Sequence, residues 1–217
     1  MSGPQPITAD LVAAFAADFH SKPERRALMN AIVKNGVNAV AVARDVAVHT
    51  RYSFSHEIET GKVTNQKKSG RCWLFAGLNV MRVAVARKIN VDDVELSQAY
   101  LMFWDKLEKA NYFLENILET LDAEQGDRTL MWLLSNPVQD GGQWDMFVDL
   151  VRKYGTCPKD EMPESFHSSE SAWMNRVLTV KLREDAARLR EAHRRGAAGG
   201  ALAATKKEML GEIYRVL

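Results

Sequence analysis

The sequence predicts a mainly α-helical chain with few short strands, and three observations carry that reading. Apolar residues recur at helical spacing in residues 8–19, in the long stretch from Ser97, and across residues 170–195. Proline and glycine fall where helices start and stop, as at Pro23, Gly36 and Gly155. Extended-looking segments are short and interrupted, as in "EIETGKVTNQ" with its Gly61.

The elements follow in order. A first helix is expected over 8–19, and a second starts at Pro23 and stops before Gly36. Residues 37–64 stay open, because "VNAVAVARDVAV" fits helix or strand by periodicity. The next helix covers roughly 72–89, after the break at Ser69-Gly70. A long one runs through "SQAYLMFWDKLEKANYFLENILETLD", and a short one, "RTLMWLL", ends before Asn136-Pro137. The turn "NPVQDGGQWDM" leads into a helix that stops at Gly155. A polar loop with Pro158 and Pro163 precedes the charged helix over 170–195. "GAAGG" at 196–200 reads as a break, and Thr205 with Glu208 as a capping box opening the last helix. That helix reaches Leu217 without glycine, proline or a polar tail, so the chain is expected to be cut within it.

Composition narrows the function classes. The 217 residues suffice for one large domain or two small ones, and 46% hydrophobic residues can build a core. A net charge of +1 argues neither for nor against a nucleic-acid partner. No apolar run reaches the length of a membrane span, and "MSGPQPITAD" lacks the basic and apolar regions of a secretory signal. Two cysteines, Cys72 and Cys157, make no disulfide framework and fit a reducing cytoplasm, the expected location.

Other features read as structure. "HEIET" at 56–60 lacks the second histidine of a zinc motif, and no phosphate-binding glycine loop occurs. Cys157 has no histidine or cysteine neighbour and is expected to pack near the start of the Pro158 loop, so neither a metal site nor a cofactor is expected. Residues 176–195 are basic, but Glu184–Arg188 and Glu191–Arg195 are helix-stabilising i,i+4 pairs and no aromatic interleaves. A solvated or subunit-contacting helix is the better reading than a nucleic-acid patch. Tyr100, Phe103, Trp104, Tyr112 and Phe113 read as core.

Cys72 carries the chemistry. A thiolate is the nucleophile, and its formation is favoured at a helix N-terminus, where unpaired N–H groups and the helix dipole meet negative charge. "SGRCWLFAGLNVMRVAVARK" puts Cys72 at such a terminus. Trp73, Phe75, Ala76 and Val80 are expected to anchor the helix, and Arg71 to add positive charge. Acyl transfer needs donors aimed at the developing oxyanion. The Cys72 backbone N–H is one, and the Gln66 side-chain amide, on a loop that doubles back, is the second candidate. By spacing alone, a buried, inert cysteine is the more common outcome.

A resemblance changes that balance. "NQKKSGRCWLFAGLNVMR" resembles the active-site segment of papain-like cysteine peptidases, most closely the branch of bleomycin hydrolase and aminopeptidase C, with Gln66, Cys72 and Trp73 in the Gln-x5-Cys-Trp pattern. "NPVQDGGQWDMFVDLVRKYG" resembles the family's glycine pair and following helix, here Gly141 and Gly142. "ELSQAYLMFWDKLEKANYFLENI" is also similar to this branch. The resemblance implies an α+β papain-like fold of which this chain is mainly the α-helical left half. It implies that Cys72 attacks the scissile carbonyl, that Gln66 holds the oxyanion, and that Gly141 and Gly142 let the substrate backbone approach, with Trp73 beside them. Secreted relatives carry a disulfide at the positions of Ser69 and Gln139, and its absence fits a reducing compartment.

The family also uses a histidine base and an asparagine from a β-rich second half. His20, His49 and His56 precede Cys72, the wrong order for the family. His167 lies in a polar loop, and His193 on a charged helix. The expectation is therefore the N-terminal half of a cysteine aminopeptidase acting on short peptides with free N-termini, inactive by itself. The resemblance further implies hexameric assembly. The expected division is a helical extension over 1–60, a half-domain with the nucleophile over 61–165, and a helical insertion for oligomerisation over 166–217. The competing expectation is a non-catalytic pseudoenzyme or assembly subunit that binds full-length partners.

Overall fold

The computed structural model describes residues 6–58 and 60–217. Glu59, within the stretch read as extended, and residues 1–5, within the stretch read for a secretory signal, lie outside the described residues. The chain divides into two units, residues 1–57 and 58–217.

In the first unit, α1 (Ala9–His20) starts where the Thr8 hydroxyl accepts the Leu11 N–H at 3.2 Å. Helix α2 (Pro23–Asn35) begins on its proline and stops at Gly36, whose φ of +78° suits only glycine. The stretch left open resolves into two short helices, α3 (Val37–Ala41) and α4 (Arg44–His49). No described residue of this unit is buried, and Phe15, Leu28 and Val33 are exposed.

The second unit is built around α6 (Gln98–Glu119). The N-terminal half of α6 packs through Leu101 and Met102 on α5 (Cys72–Ile89) and α8 (Trp144–Tyr154), with Leu74, Leu78, Phe147 and Leu150. Its C-terminal half packs through Phe113, Leu114 and Ile117 on α7 (Arg128–Ser135), α10 (Ala172–Arg194) and α11 (Gly200–Val216). The stripe Leu178, Leu182, Ala186 and Leu189 of α10 faces that cluster at helical spacing. A Cβ on Gly77 would stand 2.6 Å from the Phe147 ring, so the glycine lets α8 lie close on α5. One turn, α9 (Phe166–Ser169), is closed by a Ser165–Ser168 capping box.

Several expectations need correction. Instead of few short strands, the described residues hold two isolated bridges, Lys68 with Glu170 and Leu96 with Pro158. The last helix opens at Gly200, because "GALAA" continues it upstream with good helix formers. Thr205 is therefore inside, its hydroxyl donating to the Ala201 carbonyl at 3.0 Å, and no capping box forms there. Leu74, Phe75 and Leu78 anchor α5, whereas Ala76 and Val80 share an exposed face with Cys72, four residues apart along the helix. Tyr112 is exposed, whereas the next residue, Phe113, is buried.

The basic helix α10 is not simply solvated. Arg190 donates to the carbonyls of Thr120 and Ala123, closing the C-terminus of α6, and Arg183 does the same for Leu134 and Ser135 of α7. Glu191 pairs with Arg195 at 2.7 Å as expected, but Arg188 turns to the buried Asp185 at 3.3 Å instead of Glu184. On the face of α10 away from the buried stripe of Leu178, Leu182, Ala186 and Leu189, Trp173, Val177 and Val180 are exposed. Among the described residues, no helix is long and apolar enough to cross a membrane, and no group of three or more His, Cys, Asp or Glu side chains is placed to hold a metal ion.

Candidate active site

Cys72 is the first residue of α5 and is exposed. Helical bonding begins with the Phe75 N–H on the Arg71 carbonyl, at 3.0 Å, which leaves the Cys72 N–H unused within the helix. The chain reaches this point along α5. Arg82 donates to the Lys62 carbonyl at 2.6 Å, and Asn79 to the Thr64 hydroxyl at 2.9 Å. The chain then turns sharply: the Asn65 side chain accepts the Lys67 N–H at 2.8 Å, and Lys67 takes a left-handed φ of +55°. The Ser69 hydroxyl donates to the Gln66 carbonyl at 2.7 Å and accepts from Arg71 Nε at 2.8 Å. Gln66, half-buried, thus lies on a loop that does double back toward the start of α5.

Arg71 is not a free cation beside the thiol. It is buried and forms a bidentate pair with Glu164, at 2.9 Å for both bonds. Burial pushes the Glu164 carboxyl up, but hydrogen bonds from Arg71 and Ser168 outweigh it and hold the group below its ordinary range. The charge expected to act on Cys72 instead ties the turn before α5 to the loop before α9.

The glycine pair is held next to Trp73. The indole Nε1–H donates to the Asp140 carbonyl at 2.8 Å, and the ring lies against Gly142. Around Gly141 the Cβ direction is open. Lys109 donates to the carbonyls of Gln139 and Gly141 at 2.8 and 2.7 Å, pairs with Asp105 at 2.8 Å, and places its ammonium 5.3 Å from the Trp73 ring centroid.

Asp140 is the hub. Its Oδ2 accepts the Gly70 N–H at 3.1 Å and the Ser171 hydroxyl at 2.6 Å. Its Oδ1 accepts Lys106 Nζ and Asn175 Nδ2, both at 2.7 Å. Burial raises the Asp140 carboxyl, but Lys106 and the hydrogen bonds from Lys106, Ser171 and Asn175 prevail and hold it far below the usual carboxylate range. Lys106 is itself pushed down by burial, a shift that Asp140 opposes. Sequence reading passed over Asp140, Lys106, Lys109 and Asp105. The signal available was two adjacent charges, Asp105 and Lys106, on the apolar face of a long helix, where charges persist only if paired.

The structure therefore sets Trp73, the neighbour of Cys72 in the chain, against Gly142 and places Gln66 on the adjoining turn, but among the described residues of the second unit it brings neither His167 nor His193 into hydrogen bond with Cys72. His193 pairs with Asp122 at 2.8 Å, and His167 packs edge-on against Phe166. His20, His49 and His56 belong to the first unit. Cys157 sits half-buried just before Pro158, where its carbonyl accepts the Ser97 N–H at 2.9 Å, and burial pushes its thiol up.

Known proteins share this arrangement of sequence and fold. The Peptidase C1-like family model matches residues 6–217. The chain is 45% identical over 213 residues to an aminopeptidase C of Listeria monocytogenes, covering 97% of this chain and 47% of that protein. It is 38% identical over 215 residues to the bleomycin hydrolase of Homo sapiens, with the same coverage of 97% and 47%. A crystal structure of PepW from Lactobacillus rhamnosis HN001 superposes with a TM-score of 0.91 at 45% identity, over 97% of this chain and 47% of that one. The chain thus spans about half the length of these relatives. With family model, relatives and fold in agreement over nearly all of its residues, the chain belongs to the Peptidase C1-like family of cysteine peptidases.

Proposed function

We propose that this chain is the nucleophile-bearing, mainly helical half of an α+β papain-like cysteine aminopeptidase acting on short peptides with free N-termini. The observation that carries the reading is the exposed Cys72 at the start of α5, with Trp73 fixing the Gly141–Gly142 backbone beside it. The Cys72 thiolate attacks the scissile carbonyl carbon, and the oxyanion is met by the Cys72 N–H and the Gln66 side-chain amide. The carbon–nitrogen bond then breaks, the amine leaves with a proton from a histidine, and water hydrolyses the thioester. The names of the relatives, aminopeptidase C and bleomycin hydrolase, support the substrate class.

Among the described residues of the second unit, neither His167 nor His193 pairs with Cys72, and His193 is engaged by Asp122. In this reading the base and its orienting partner belong to a second half, and the chain alone is inactive. The exposed face of Cys72, Ala76 and Val80 suits a surface that the second half covers. In this reading, residues 1–60 are an extension, 61–165 the half-domain, and 166–217 an insertion for assembly in a cytoplasmic homohexamer. The exposed Trp173, Val177 and Val180 of α10 support a subunit contact.

A second reading, a non-catalytic assembly subunit that binds full-length partners, draws on the first unit. Its helices bury nothing yet expose Phe15, Leu28 and Val33, and such faces call for a partner. The intact mass of the protein isolated from its source separates the two. A mass about twice 24.4 kDa, with N-terminal hydrolysis lost in Cys72→Ser, supports the enzyme. A mass of 24.4 kDa without turnover supports the subunit, and robust Cys72-dependent hydrolysis by these 217 residues sinks the half-site reading.

A further inference from the structure

Two segments of the site lie far apart in the chain and meet through one residue. Asp140 Oδ2 accepts the N–H of Gly70, two residues before Cys72, at 3.1 Å. The carbonyl of the same residue accepts the indole N–H of Trp73, the residue after Cys72, at 2.8 Å. Asp140 is also joined by the chain to Gly141 and Gly142. Its other contacts, Lys106 on α6 and Ser171 and Asn175 at the start of α10, hold the carboxylate in place from behind. A Cβ on Gly70 would stand 2.6 Å from the Asp140 Cβ, so the two backbones are as close as glycine permits.

We propose that Asp140 is a positioning residue, which sets the distance between the Cys72 thiol and the Gly141–Gly142 backbone by gripping the residues on both sides of Cys72. This rests on the reading of Cys72 as nucleophile and of the glycine pair as the rail for the substrate backbone. Lys106, Ser171 and Asn175 act through Asp140. Lys109 grips the rail separately, through the Gln139 and Gly141 carbonyls. A peptide carbonyl laid along the rail then reaches the sulfur in fixed register, the kind of orientation on which acyl transfer depends.

The informative substitution is Asp140→Asn. An amide offers one acceptor oxygen where four donors converge, so with that oxygen turned to Lys106 and Asn175 its NH2 faces the Gly70 N–H. Cys72 in the 217-residue chain is labelled with a dipeptidyl chloromethyl ketone and, in parallel, with iodoacetamide, which needs no register. The Gly70 amide and Trp73 indole proton resonances are followed in the same samples. Asp140→Asn is expected to lower the preference for the peptidyl reagent about tenfold and to shift both resonances. Asn175→Ala, which removes one hydrogen bond on the far oxygen and leaves the Gly70 bond itself intact, is expected to lower stability and to move both readouts less than Asp140→Asn does. If Asp140→Asn does not fold, Ser171→Ala loosens the oxygen that binds Gly70 and is expected to move the same resonances less.

Resonances and labelling preference unchanged in a folded, less stable Asp140→Asn would overturn the proposal and leave Asp140 a structural residue only. A wild-type chain with no preference for the peptidyl reagent counts against the nucleophile reading instead. The grip on Gly70 and Trp73 is then upheld by shifted resonances or overturned by unshifted ones.

Discussion

The space that a Cβ on Gly142 would occupy is filled by the indole of Trp73, whose nearest ring atom lies 2.5 Å from it. The ring cannot retreat easily, being fixed by the Asp140 carbonyl and capped by Lys109. Gly142→Ala is therefore expected to destabilise the fold by about 1–3 kcal/mol through overpacking. Gly141→Ala, whose Cβ meets nothing within 4 Å, is expected to leave stability unchanged. Urea titrations of the two variants check the contrast; equal losses would mean that the indole yields.

Lys106 is buried against Asp140 and also donates to the Gln139 carbonyl at 3.0 Å. Lys106→Met keeps the apolar stem and removes the charge, leaving Asp140 without its cation. The expected loss is about 3–5 kcal/mol, the range for breaking one side of a buried pair. In the double variant Lys106→Met with Asp140→Asn, much of that loss should return, as a double-mutant cycle would show.

Asp105 supplies a pH dependence of definite sign. Burial pushes its carboxyl up to about 6, against the pull of Lys109. The folded chain thus holds this proton at a pH where the unfolded chain releases it. The resulting stabilisation is complete below about pH 4 and is lost as pH rises through about 6, on the order of 3 kcal/mol. Asp140 and Glu164, both depressed, work oppositely: their stabilisation is present above about pH 4 and lost as pH falls further. Asp105→Asn removes only the first dependence, so its stability should gain on wild type between pH 4.5 and 7, conditions set to bracket that window. A constant difference across that range would show that Asp105 does not titrate there.

Arg190 closes the end of α6 by donating to Thr120 and Ala123 from α10. Arg190→Ala is expected to cost about 1.5–3 kcal/mol and to speed amide exchange near residues 117–124. Unchanged exchange there would mean that water replaces the guanidinium without loss.

The legible parts of this protein were local. Pro23, Gly36, Ser97, Asn136-Pro137 and Gly155 mark helix ends because capping and termination depend on residues within a turn of each other. Thr205 misled for the same reason, since a capping pattern inside an alanine-rich helix has no free N–H groups to serve. Ala76 and Val80 misled because periodicity shows that a helix has an apolar face without showing what that face meets.

The sequence by itself determined that Cys72 opens a helix, that a turn carrying Gln66 precedes it, and that a glycine pair lies far downstream, because each of these is written in neighbouring residues. Only the tertiary structure decided that Arg71 spends its charge on Glu164, that Gly142 makes room for Trp73, and that Asp140 joins Gly70 to Lys106, Ser171 and Asn175. Those partners lie 31 to 93 positions apart in the chain. Which of many charged residues meet across such separations is set by how α5, α6 and α10 pack, and by the cost of leaving any buried charge alone.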